Sequence, residues 1–166
     1  MFALKPLSLD SVAGAISKAE RYRLLNEPAE AESICHDILE IEPENQPALI
    51  MLVLALSDQI AEDAQAFTNA LVTAARLRNA YDKAYYSGIV WECRAKARYH
   101  DGGRGLRHTV HEWMQKALQL FEQAERLRAP GNDDSILRWN TCVRFLVRHP
   151  ELMARSEEAT EPILSE

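Results

Sequence analysis

The most reactive-looking stretch of the chain is Tyr99-His100-Asp101-Gly102-Gly103-Arg104-Gly105-Leu106-Arg107-His108-Thr109-Val110-His111-Glu112. His108 and His111 are three residues apart, so a helix would project both from one face. With His100 and Cys93 they would offer the nitrogen and sulfur ligands that zinc prefers. No HExxH motif and no paired-cysteine spacing accompanies them, and histidines at an exposed helix start explain the pattern more simply, so no metal is expected. The same stretch holds a glycine-rich turn in which Gly103, Arg104 and Arg107 precede a helix start, a geometry that can hold a phosphate or carboxylate. It lacks the Walker pattern and no β-strand precedes it. Flexible glycine would serve equally well to let a long connection turn back.

Other chemistries have weaker footing. Arg94, Lys96, Arg98, Arg104 and Arg107 cluster near Trp91, Tyr99 and Trp113, and aromatics beside arginines can stack bases. These aromatics fall at the spacing of a helix core, however, and the chain is acidic, so nucleic acid is disfavoured. Cys35 and His36 are adjacent and would point about 100° apart on a helix, a poor nucleophile–base pair. No serine or cysteine stands in a recognisable triad motif. Asp133-Asp134 is accounted for by favourable negative charge at a helix start. The expectation is a non-enzymatic protein without a cofactor.

The elements that must position these residues are helices. The 166 residues suit one domain with a core that needs no staples. Only 6 glycines are present, too few for the turns of a sandwich or barrel. The 3 cysteines, Cys35, Cys93 and Cys142, are odd in number and widely spaced, which suggests reduced thiols in or near a core, in a reducing compartment. The apolar run Ala48–Leu56 is far too short to span a bilayer, and Met1–Glu20 has no uninterrupted apolar stretch of signal-peptide length. The cytoplasm is the expected location.

Prolines mark the joints at Pro28, Pro43, Pro47, Pro130 and Pro150, and none interrupts a periodic apolar stretch. Between them the 3.6-residue period predicts seven helices at about 9–25, 29–41, 47–57, 60–78, 81–99, 108–128 and 133–148. The third, with Leu49, Ile50, Met51, Leu52, Val53, Leu54 and Leu56, is apolar nearly all round and should be buried on two sides. The predicted domain covers 1–150 with an inserted loop near 100–112, followed by an acidic tail at 151–166 expected to be disordered.

Charge is uneven. Residues 1–75 carry a net −8, residues 76–148 a net +6, and residues 149–166 a net −4. Such asymmetry would draw an acidic partner to the second half or favour head-to-tail self-contact, although a set of solvated helix faces explains it more simply.

Ala31, Cys35, Ile38 and Pro43, with Tyr22 before them, occupy the small, bulky, apolar and turn-closing slots of a helix–turn–helix unit. In this the segment resembles a tetratricopeptide (TPR) repeat. A second unit, Gln46 to Asn79, uses Leu49, Leu52 and Leu56, then Phe67, Leu71 and Ala74, but has Val53 where the family has glycine and Asn79 in the closing slot. A third has Gly88 where two helix axes approach, Trp91 in the aromatic slot, then Ala117, Phe121, Ala124 and Pro130, with about 17 extra residues between its helices. The resemblance implies an all-α fold of antiparallel helix pairs, stacked as a short right-handed TPR-like solenoid of about three repeats plus a capping helix. The alternative is an irregular helical bundle.

In such arrays the first helix of each pair lines a concave groove that holds a peptide or a partner's helix. Carried over, the lining would include Ile16, Ser17 and Glu20, then Ile50, Met51 and Leu54, then Tyr85, Tyr86 and Ile89, then Ile136, Leu137 and Asn140, with Asn140 and Arg144 adding polar contacts. The set is mostly apolar, unlike the lysine–asparagine clamp of some chaperone adaptors, so an apolar peptide or helix is the expected ligand. The inserted loop, the sixth helix or a second copy in a homo-oligomer would cover the same residues equally well. The runner-up expectation is a small-anion or metal-binding helical protein that uses the Gly102–His111 loop.

Overall fold

The computed structural model describes residues 2–102 and 106–153. They form seven helices: α1 (Val12–Leu24), α2 (Pro28–Ile41), α3 (Gln46–Asp58), α4 (Ala64–Ala75), α5 (Ala80–His100), α6 (Arg107–Leu127) and α7 (Asp134–Arg148). No strand occurs among the described residues.

Local chemistry starts and stops these helices. Pro28 sits in the first turn of α2, where its missing N–H costs nothing. Asn45 caps α3 by accepting from the Ala48 N–H at 2.9 Å. Asp63 accepts from Gln65 N–H at 2.8 Å ahead of α4, and Asn79 accepts from Tyr81 N–H at 2.8 Å ahead of α5. α1 ends on Asn26 at φ 62°, the left-handed position that asparagine tolerates. Gly131, at φ 84°, turns the chain from α6 into α7.

Each helix packs on the next along the chain, and the odd-numbered helices also pack on one another, α1 on α3, α3 on α5 and α5 on α7. α3 therefore touches α1, α2, α4 and α5. Its buried residues, Ala48, Leu49, Leu52, Val53, Ala55, Leu56 and Ser57, cover more than half of its circumference, so it is buried on more than one side. The apolar stripes meet in three adjoining clusters. Val12, Ile38 and Ala48 pack at the start, while Ala19, Ala31, Cys35, Leu52 and Val90 pack in the middle. Ile89, Met114, Phe121, Cys142 and Leu146 pack at the end. Tyr86 and Cys93 touch both the second and the third cluster and so join them.

Two boundaries differ from expectation. The loop predicted near 100–112 is helical from Arg107 onward. The extra residues lengthen a helix pair instead: α5 and α6 have 21 residues each, against 12–14 for α1 to α4. The reason is that Val110, Met114 and Ala117 keep the helical spacing, and all three are buried in the third cluster with Ala95 of α5. The packed unit also runs past 150. Pro150–Leu152 forms a 3-10 turn, and Leu152, only 2% exposed, plugs the third cluster. The rest of the predicted tail, 154–166, lies outside the described residues.

Candidate functional site

The expected groove residues fall on the odd-numbered helices. Ile50, Met51 and Leu54 are half-buried and share one face of α3, whose other central residues are buried. Met51 packs against the middle cluster and Leu54 against the last one. On α5, Tyr85 and Tyr86 are half-buried and meet edge to face with ring centres 5.1 Å apart. Tyr81 stacks on Tyr85 at 5.6 Å, and its hydroxyl reaches Asn132 Oδ1 at 3.3 Å, so the aromatic ladder runs on to the turn before α7. Burial, with smaller contributions from Asp82 and the neighbouring tyrosines, pushes the Tyr86 hydroxyl up to about 12, so it remains a neutral donor.

Ile89 is not a lining residue. It is 3% exposed and belongs to the core cluster against which Leu54, Tyr85 and Tyr86 pack, so it forms a floor beneath them. Asn140 is half-buried on α7 and Arg144 is exposed there. α7 reaches α5 through a different residue. Arg138 Nη1 donates to Glu92 Oε2 at 3.4 Å, and Lys96 donates to the other carboxylate oxygen. Glu92 is 1% exposed. Burial works against the Arg138 charge, but Glu92 and Tyr85 outweigh it and hold the guanidinium charged. The sequence does carry a signal for this cluster: Glu92 shares the apolar stripe of Gly88 and Ala95, at i+4 and i+7, and a carboxylate there demands a partner. Nothing local names Arg138, which is 46 residues away. Between the first two odd-numbered helices, Arg23 holds Asp58 with two hydrogen bonds of 2.6 and 3.2 Å, pinning α1 to α3.

The histidine and arginine stretch is dispersed. Gly103 and Arg104 lie outside the described residues. Arg107 and His108 are exposed, and His108 faces Glu112 at 3.5 Å. Among the described residues no three His, Cys, Asp or Glu side chains converge as metal ligands. A cavity of about 380 Å³ lies here, lined by Arg98, Tyr99, His100, Arg107, Glu151 and Leu152 among others. At its edge the Tyr99 hydroxyl hydrogen-bonds His149 Nδ1 at 2.7 Å and Glu151 Oε1 at 3.1 Å. A hydrogen bond from its own backbone N–H, helped by Tyr99 and His149, holds the Glu151 carboxyl below its usual range.

No family model matches the chain, and comparison with curated proteins and with solved structures finds no match either.

The remaining candidates satisfy one another. The Arg94 guanidinium lies 4.5 Å from the Phe67 ring centre and 4.9 Å from that of Trp113, so of the residues weighed for base stacking Arg94 and Trp113 are already paired. Trp91 packs edge-on to Phe67 at 5.0 Å. Burial raises Cys35 and Cys142 to about 12 and Cys93 to about 11, so at neutral pH none of these thiols is a thiolate nucleophile. His36 points outward toward Glu32 at 3.5 Å, away from the buried Cys35. Among the described residues no helix is long and apolar enough to cross a membrane.

Proposed function

We propose that this chain is a non-enzymatic protein-interaction module, a TPR-like stack of helix pairs whose inner row binds an apolar peptide or the apolar face of a partner's helix. The observation that carries the reading is the apolar ledge on packed odd-numbered helices: Met51 and Leu54 of α3 beside Tyr85 and Tyr86 of α5, over Ile89. A ledge of aromatic and flexible side chains suits the i, i+3, i+4, i+7 anchors of an amphipathic helix. The neighbour pattern of the helices and the close approach at Gly88 support a short right-handed solenoid of about three repeats, with α7 as a cap. Three free cysteines support a reducing compartment, the cytoplasm.

Selection of peptides from a displayed helical library on the immobilised chain tests this. Met51→Glu should abolish capture of the selected peptides. Val72→Glu, at an exposed site on α4, should leave capture intact. Peptides that bind both variants equally would remove the groove from the reading.

One observation favours a second reading, an anion site. Arg98 and Arg107 both line the cavity beside the glycine turn. Glu151 lines the same cavity and opposes an anion there, so this reading ranks below the groove. Titration with inorganic phosphate, with Arg107→Gln as control, separates them.

A further inference from the structure

The inner row carries charge as well as apolar surface, and part of that charge is already answered. Arg23 of α1 pairs with Asp58 of α3, and Arg138 of α7 pairs with Glu92 of α5. The carboxylates at the starts of α5 and α7 are not answered. Asp82 precedes Tyr86 by four residues, one turn away on the same side of α5, and is half-buried. Asp134 precedes Arg138 by four residues on α7, so it shares the side from which Arg138 reaches α5. Tyr81 ties the two helix starts together: its ring stacks on Tyr85, and its hydroxyl donates to Asn132, two residues before Asp134. Among the described residues neither Asp82 nor Asp134 forms an ion pair. Lys83, next to Asp82, is turned about 100° away round α5.

The field at this end of the ledge is therefore negative. Burial is the largest cause of the raised Tyr86 hydroxyl; Asp82 and Asp134 add to it, and no cation offsets them. Burial also raises the Asp82 carboxyl above its usual range, so the fold holds this charge at a cost. A half-buried carboxylate beside aromatic rings suits an ammonium or guanidinium, which gains the ion pair and the ring faces together. We infer that the ligand of the ledge is a basic amphipathic helix. Its apolar side lies on Met51, Leu54 and Tyr86, and a lysine or arginine on its flank pairs with Asp82 and Asp134. The inference rests on the groove reading above and adds the charge that the ligand must carry. A neutral or acidic helix of the same shape would leave Asp82 covered and unpaired. The pairing selects which helix binds and which way round it lies, more than it adds to the area buried.

Labelled helical peptides test this, with the same leucine anchors at i, i+3, i+4 and i+7 and only lysine, glutamine or glutamate at the polar positions. Fluorescence anisotropy at low salt should rank the lysine peptide first, about five- to tenfold tighter than the glutamine one, the scale of two partly exposed ion pairs. The glutamate peptide should come last, and added salt should narrow the gap. Asp82→Asn combined with Asp134→Asn should remove most of the lysine preference, while binding of the glutamine peptide and the helical circular dichroism stay unchanged. Glu30→Gln combined with Glu125→Gln removes the same charge from exposed sites on α2 and α6 and should keep the preference. A glutamine peptide that binds, and is lost in Met51→Glu, without any lysine preference overturns the basic ligand and leaves the groove standing. A preference that survives the paired aspartate changes also overturns it, because diffuse attraction to an acidic chain is then the cause. Failure of all the peptides to bind overturns the groove, and this inference with it.

Discussion

Gly88 of α5 lies directly against the ring of Phe121 of α6. A Cβ built on Gly88 would sit 2.6 Å from Phe121 Cε1, and Phe121 is fully buried. The two 21-residue helices approach this closely because one of them has no side chain at the crossing.

Gly88→Ala should therefore destabilise the fold. Alanine gains about 1 kcal/mol of helix propensity, but overpacking a rigid ring costs about 1–3 kcal/mol. The net loss should appear as a lower melting temperature. Phe121→Leu in the same background should recover part of it by clearing space, and an unchanged midpoint in Gly88→Ala would show that the helices simply move apart.

Glu92 ties α7 to α5 through Arg138 while Lys96 shares its charge. Glu92→Ala should cost about 2–3 kcal/mol in urea unfolding, the low end for a broken buried pair because both cations are about a third exposed. Arg138→Met should cost less, since Lys96 still answers the carboxylate. Equal losses in the two variants would show that Lys96 contributes nothing.

The buried thiols give the chain an alkaline limit. Cys35 and Cys142 ionise near 12 in the fold but have an ordinary value of 9.0. A group raised by folding contributes in full below its unfolded value and loses that contribution as pH climbs through the folded one. Stability should thus decline between about pH 9 and pH 12, the window set by those two values. Replacing Cys142 by alanine should flatten the pH slope while lowering the plateau, and Ellman's reagent at neutral pH should react far faster with urea-unfolded than with folded protein.

Leu152 packs into the last cluster although it follows Pro150. Leu152→Ala should lower stability by about 2 kcal/mol, near the small end for a buried leucine because the turn can settle inward. Thermal melts read this directly, and no change would mean that the packed unit ends at α7.

Much of the architecture was legible in the sequence. Apolar spacing and proline punctuation placed seven helices within about four residues of their observed ends, because helix formation depends on neighbours a turn away; the caps Asp63 and Asn79 were not read as such. The third helix announced its burial by being apolar all round. Gly88 and Phe121 were both marked as packing positions, and they do meet.

Only the tertiary structure decided which side chains share a surface. Ile89 and Tyr86 are three residues apart on one helix, yet one is sealed in the core and the other half-open, because which of α3, α4, α6 and α7 packs over each is not encoded by a local period. Glu92 found Arg138 across 46 residues, and Tyr99 found His149 and Glu151 across 50 and 52. Where the predicted loop, 100–112, overlapped the predicted helix, 108–128, the helix prevailed, because Val110 is buried against α5. A chain's periodicity sets what each rod must hide; how the rods cross sets what remains for a partner to touch.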